Sequence, residues 1–266
     1  MMRDRPALRG SPFLASILVA VLIFLNAPVV VLMIFAFNNS PIAYTWTGFT
    51  LKWFQELASD RMLVTWGHSF IVSICVVVVS TIVGTMAAYG LVRYSFRAKP
   101  LVLALVFIPI IIPRMIVGLA VLLMLNYLGV PRSLFTVGLG QTFYVLPFVT
   151  IVVASVIVTF DRRLEEAALD LGARPWTVFR RVTLPLIKNG VYAGALVAFI
   201  LSFAEFTISY FLSGTKQTLP TLIYSEFRFL ITPKINALST TIVIITVIFT
   251  IGAELIRQRR ALGAQQ

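Results

Sequence analysis

The chain has 266 residues, 59% hydrophobic and only 12% charged, with a mean hydropathy of +0.96 and a net charge of +12. A soluble domain carries roughly 45–50% apolar and about 25% charged residues, so this composition excludes a soluble globular enzyme, a disordered regulator and a secreted disulfide scaffold. The basic residues are dispersed in loops between apolar runs, which orients a membrane protein and does not form a nucleic-acid patch.

A helix crossing the ~30 Å hydrocarbon core needs about 20 largely apolar residues. Six runs qualify: Phe13–Phe37, Phe70–Val92, Leu101–Leu125, Leu139–Thr159, Val191–Leu212 and Ala237–Ile256. The first is broken only by Ser16, Asn26 and Pro28. A signal peptide has an apolar region of only about 7–15 residues, so this run is read as a retained span. None of the runs alternates as a barrel strand would. The expected fold is therefore all-α and integral to the membrane, with six transmembrane helices.

Individual positions along these runs carry further expectations. In the second, Ser80, Gly84 and Ala88 recur every four residues and allow close helix approach, as do Gly190 and Gly194 near the fifth. Cys75 is a filler and His68 an ordinary residue at the outer end of its span, while Tyr44, Trp46, Trp53 and Trp66 suit the outer interface. One cysteine and one histidine leave no internal disulfide, cysteine cluster or histidine metal site. Pro109 and Pro113 each remove a helix hydrogen bond from the third run and predict a bend near Arg114.

Basic residues fix the expected orientation. The N-terminus, the second-to-third and fourth-to-fifth connections and the C-terminus together hold fifteen Lys and Arg, the other side six, and Arg114 lies within a span. Both termini are thus expected in the cytoplasm. The expected layout is a cytoplasmic tail (1–12), a six-span domain (13–256) containing a cytoplasmic loop at 160–189, and a second tail (257–266).

That loop reads FDRRLEEAALDLGARPWTVFRRVTLPLIKN, Phe160 to Asn189, and predicts two short helices around a break. Glu165 to Leu171 forms a helix with acids in its first turn, as the helix dipole favours. Gly172 is a C-terminal cap and Pro175 opens the next helix, which Leu184-Pro185 ends.

Glu166-Ala167-Ala168, three residues, Gly172, nine residues, then Val182-Thr183-Leu184-Pro185 resembles the cytoplasmic EAA motif of ATP-binding cassette (ABC) importer permeases, with Val182 where Ile is usual. The resemblance implies that Glu166, Ala167, Ala168, Gly172, Leu184 and Pro185 belong to a coupling helix seated in a groove of an ATPase subunit. The chain has no Gly-x4-Gly-Lys-Ser/Thr phosphate loop of its own. It is therefore expected to be a non-enzymatic transport subunit without cofactors, with ATP and Mg²⁺ held by the partner ATPase.

Phe37–Leu57, Arg93–Pro100 and Leu219–Leu238 are similar to the PotC-like spermidine/putrescine permeases of this family. That similarity implies an inner-membrane location and a polyamine solute. It also implies a second homologous permease, two ATPase copies and an extracytoplasmic solute-binding protein as partners.

Glu205 and Arg114 are charged residues deep inside their spans, and at least ~2.5–3.5 kcal/mol per central charge makes both functional candidates. In straight helices they would share a depth of about 20 Å at ~1.5 Å per residue, so they either pair for packing or line the solute path. The resemblance to polyamine permeases implies acids in this segment, where this chain keeps Glu205 alone in place of the usual two adjacent ones, and an acid there suits a polycation. A buried Arg114 suits an amino-acid-like, opine-like or phosphonate solute. An ion-coupled secondary transporter is the alternative class, although the chain shows no clear internal repeat.

Overall fold

The structure, a computed structural model, describes residues 12–40, 45–57, 59–227 and 233–263. Twelve α-helices follow in order among them: α1 (Pro12–Phe35), α2 (Lys52–Glu56), α3 (Asp60–Arg93), α4 (Lys99–Ile111), α5 (Arg114–Tyr127), α6 (Leu134–Thr159), α7 (Arg163–Asp170), α8 (Pro175–Val178), α9 (Leu184–Phe203), α10 (Thr207–Leu212), α11 (Leu219–Phe227) and α12 (Pro233–Gly263). A π-helical turn, Phe179–Thr183, joins α8 to α9. Beyond these helices the described residues hold one isolated β-bridge, between Asn38 and Phe49.

The chain divides into two units. The larger, Asp60–Tyr224, is built on α3, α6 and α9. Its core stacks Val72 and Val76 of α3, Val149, Val153 and Ile157 of α6, and Ile187 and Ala198 of α9. The small residues predicted to let helices approach do so. A Cβ on Gly84 would lie 2.9 Å from Val149 Cγ1, one on Gly190 2.7 Å from Val156 Cγ2, and one on Gly194 3.1 Å from Val149 Cγ1. Ser80 and Ala88 are fully buried on the same helix as Gly84. Both outer helices thus press their backbones onto valines of α6.

Several predicted spans change extent. The second begins not at Phe70 but with α3 at Asp60, and the polar residues just before Phe70 find partners inside the protein. His68 Nδ1 lies 3.0 Å from the Gln217 carbonyl, and Ser69 Oγ accepts the Leu219 N–H at 2.6 Å. The fourth begins five residues early, at Leu134, where Ser133 and Thr136 form a capping box.

The third run is broken. Ile112 and Pro113 are extended, with ψ of 132° and 134°. A residue before proline avoids the helical region, and the chain therefore bends by 112° between α4 and α5. The fifth run also stops early, at Phe203, leaving Glu205 in a break before α10. The straight helices that would place Arg114 and Glu205 at one depth do not exist.

The smaller unit comprises Met1–Ser59 and Ser225–Gln266. In it α12 packs against α1 and α2, and no α1 side chain is buried. The loop after α1 closes on Asn38, whose amide donates to the Thr45 carbonyl at 2.7 Å and accepts the Thr47 N–H at 3.0 Å. Trp53 is buried against it, its Nε1 donating to the Asn38 carbonyl at 2.7 Å, so it is not an interface residue. Trp46 stays half exposed, and Tyr44 lies outside the described residues.

Among the described residues, four helices are long and apolar enough to cross a membrane: Pro12–Phe35, Met62–Arg93, Leu134–Thr159 and the continuous stretch Pro175–Phe203. The α4–α5 pair makes a fifth if counted as one broken span. Within the described residues the apolar part of α12 is shorter, Pro233–Ile248.

Candidate functional site

Two places in the larger unit carry the chemistry that the sequence singled out. One is the loop around α7 and α8. As expected, α7 carries Glu165 and Glu166 in its first turn, and Gly172 ends it at φ +84°. The Gly172 N–H donates to Leu169 O at 2.8 Å and the Ala173 N–H to Ala168 O at 3.1 Å, a Schellman closure that requires the left-handed conformation glycine adopts freely. A Cβ there would meet nothing within 4 Å, so the position faces open space. Pro175 opens α8, again as expected.

The end of this segment departs from expectation. Leu184-Pro185 does not terminate the second helix. The Leu184 N–H reaches back to Phe179 O, a five-residue step, and the wider π turn leads through Pro185 into α9 without interruption. The missing Pro185 N–H falls in the first turn of α9. The lower loop and the fifth span are therefore one continuous piece from Pro175 to Phe203.

The two adjacent acids of α7 have opposite environments. Glu166 is exposed and pairs with Arg162 at 3.0 Å, with side chains 54% and 62% exposed, a solvated pair of little energetic weight. Glu165 is buried, 2.8 Å from Arg93 Nε, and accepts the Thr183 hydroxyl at 2.5 Å. Ala167 is exposed, Ala168 and Leu184 are half-buried, and Pro185 is exposed. Leu171 and Trp176 stand 89% and 65% exposed on the same loop, a patch of bulky apolar groups among arginines.

The second place is the break after α9. Glu205 is 1% exposed, and its carboxylate faces the first turn of α10. It accepts the Ile208 N–H at 2.9 Å and the Ser209 N–H at 3.0 Å, and the Ser209 hydroxyl lies 3.3 Å away. The carboxylate is the N-terminal cap of α10, satisfying donors that the broken helix would otherwise leave unpaired.

Arg114 does not pair with it among the described residues. Arg114 opens α5 just after the Pro113 break, and its Nε donates to the Tyr144 hydroxyl at 2.8 Å. The guanidinium carbon also sits 4.8 Å from the centre of that ring. Its side chain is exposed on this chain, whereas Tyr144 is buried.

Beside Glu205 lies a buried polar cluster that sequence reasoning did not single out. Gln141 of α6 donates to Ser209 Oγ at 2.9 Å and accepts the Ser202 hydroxyl at 2.5 Å, while Ser202 Oγ lies 3.3 Å from Ser73 Oγ of α3. Gln141 was visible as the lone amide within an apolar run, the signal that could have found it. Ser69, Gln141, Ser202, Glu205 and Thr218 line a crevice with no free space for a water molecule. The cluster joins α3, α6, α9 and α10 where their packing is polar.

The sequence profile of the family described as "Binding-protein-dependent transport system inner membrane component" matches residues 80–261. The spermidine/putrescine transport system permease protein PotC of Escherichia coli (strain K12) is 32% identical over 246 residues, covering 92% of this chain and 93% of that protein. The putrescine transport system permease protein PotI of the same strain is 36% identical over 250 residues, covering 91% and 89%. In fold, the chain is similar to a chain of a bacterial ABC transporter involved in import of the acidic polysaccharide alginate. The TM-score is 0.72 at 19% identity, covering 93% of this chain and 94% of that one. With the profile spanning both the loop and the Glu205 break, and both permeases aligned over nearly the whole chain, this protein belongs to the family of inner-membrane components of binding-protein-dependent transport systems and is a permease subunit of an ABC importer.

Proposed function

We propose that this subunit imports a polyamine of the putrescine or spermidine class, forming half of a translocation path completed by a second, homologous permease. The observation that carries the solute reading is similarity of 32% and 36%, over nearly the full chain, to permeases named for spermidine/putrescine and putrescine. Six spans with both termini in the cytoplasm complete the subunit: the four long helices, the broken α4–α5 pair, and α12 as the last. Family membership removes the ion-coupled carrier as a reading.

The loop at 160–189 docks a separate ABC ATPase, which supplies ATP, Mg²⁺ and all catalysis. The exposed Leu171 and Trp176 support this, because bulky apolar groups on a charged loop mark a protein contact. Glu166, Ala167, Ala168 and Gly172 form the docking surface, and Leu184 and Pro185 carry its movement into α9. A loaded solute-binding protein docks on the outer segments 44–61, 131–135 and 213–235, of which 58 and 228–232 lie outside the described residues along with 44. ATP binding closes the ATPase pair and opens the path outward, and hydrolysis restores the inward-facing state. Glu205 and Arg114 are the proposed path residues, Glu205 at the closed crevice and Arg114 at the α4–α5 break.

A second reading keeps the machine and changes the cargo. Arg114 is exposed on this chain, while the Glu205 carboxylate is already occupied by its own helix, which favours an amino-acid-like, opine-like or phosphonate solute with an anionic end. ATP hydrolysis by the complex reconstituted with its partner permease, ATPase and binding protein separates the two. Stimulation by putrescine and spermidine alone supports the first. Stimulation by acid-bearing amino compounds instead overturns the polyamine reading and makes Arg114 the first residue to replace.

A further inference from the structure

Glu165 belongs to the docking loop by sequence, yet its side chain is buried within this chain. One carboxylate oxygen lies 2.8 Å from Arg93 Nε, with side chains 7% and 10% exposed, and the other accepts the Thr183 hydroxyl at 2.5 Å. Arg93 is the last residue of α3, a helix separated from this loop in the chain by α4, α5 and α6. Its guanidinium carbon lies 4.4 Å from the centre of the Phe160 ring, and its Nη2 donates to the Phe160 carbonyl at 3.5 Å. One turn earlier on α3, Tyr89 packs against Phe179 of the π turn at 5.0 Å. One end of α3 is thus fastened to α7 and to the π turn.

The same helix reaches the crevice. Ser69 and Val72 of α3 line it, and Ser69 holds the Leu219 N–H. From Arg93 to Ser69 a helix rising ~1.5 Å per residue spans about 36 Å. Burying two charges is costly, and an apolar pair of similar volume is often at least as stable, so stability alone does not account for an ion pair here.

We propose that the Arg93–Glu165 pair, braced by Thr183, is a strut that passes movement of the docking loop directly into α3 and so to the crevice. Loop movement then reaches the path by two routes: along the continuous Pro175–Phe203 helix and across this contact. The proposal rests on the reading of the loop as the ATPase-docking element. Arg93, Glu165 and Thr183 are positioning residues that touch neither ATP nor solute.

Cys75, the single cysteine of the chain and exposed on α3, provides the probe. A spin label on Cys75 is followed in the full reconstituted complex, with partner cysteines removed, before and after trapping with ATP and vanadate. The wild type should show a trapping-dependent spectral change. Glu165→Gln should lose that change while the ATPase still co-purifies and hydrolyses ATP, and Arg93→Glu/Glu165→Arg should restore it. A full change in Glu165→Gln, or an unchanged wild-type signal, overturns the strut. If Glu165→Gln does not assemble, Thr183→Val decides by the same signal, because it removes the brace without changing volume; an unaltered response overturns the proposal. Normal transport by a Gly172→Arg variant would instead defeat the docking reading, a result distinguishable from failure of the strut.

Discussion

Glu205 illustrates how a single intramembrane acid acquires a role that its neighbours in sequence do not announce. Its carboxylate holds the Ile208 and Ser209 N–H groups, so it stabilises the break itself. Removing a buried acceptor leaves its donors unpaired, which costs about 1–3 kcal/mol each. Glu205→Ala should therefore lower the thermal midpoint of the purified complex, and Glu205→Gln should lower it less, since an amide oxygen still accepts one N–H. An unchanged midpoint in Glu205→Ala would contradict the cap. Gly172 differs in kind: its neighbourhood is open, but its φ of +84° disfavours any other side chain. Gly172→Arg should insert at normal levels yet detach or uncouple the ATPase, measured by co-purification and transport. Normal transport by that variant would remove the docking role.

At the scale of elements, the contacts among α3, α6 and α9 depend on residues without bulk. A Cβ on Gly190 would lie 2.7 Å from Val156, so Gly190→Val should destabilise the bundle by about 1–3 kcal/mol, read as less folded protein after detergent extraction. The α4–α5 bend depends on Pro113 and on the extended Ile112 before it. Pro113→Ala frees Ile112 to become helical and restores a donor. Spin labels at Leu101 and Leu123, both exposed, should then move apart, and an unchanged distance would show that packing against α6 and α10 sets the bend instead. The continuity of α8, the π turn and α9 has a mechanical consequence. A displaced loop helix should turn the start of α9 with it, because the helical stretch Pro175–Phe203 is unbroken.

For the whole molecule, the governing quantity is the asymmetry of fifteen basic residues against six between the two sets of loops. It predicts a cytoplasmic C-terminus. A fluorescent protein fused there should fluoresce and an alkaline phosphatase fused there should be inactive; the reverse would overturn the six-span arrangement. Much of the chain's apolar surface is exposed when it stands alone, including every described side chain on the first two turns of α1. Lipid and the proposed second permease would cover it, and the path proposed at Arg114 would close against that same partner.

Apolar runs, prolines and loop charges act over a few residues, so the all-α membrane class, the bend at Pro113 and the Gly172 cap were readable from the chain alone. So was the family, because the Glu166-to-Pro185 pattern is contiguous. The count of long apolar helices reaches only five within the described residues, since a run in sequence does not show where a helix stops. What the fold decided depends on distant partners. Glu165 and Glu166 are adjacent and alike in sequence, yet one is buried against Arg93, 72 positions away in the chain, while the other is solvated. Gln141, Ser202 and Ser73 became a cluster only when α3, α6 and α9 packed together. Arg114 and Glu205 stayed apart because each helix broke beside its charge, and a charge at a break binds the nearest free polar group, a tyrosine hydroxyl for one and helix N–H groups for the other.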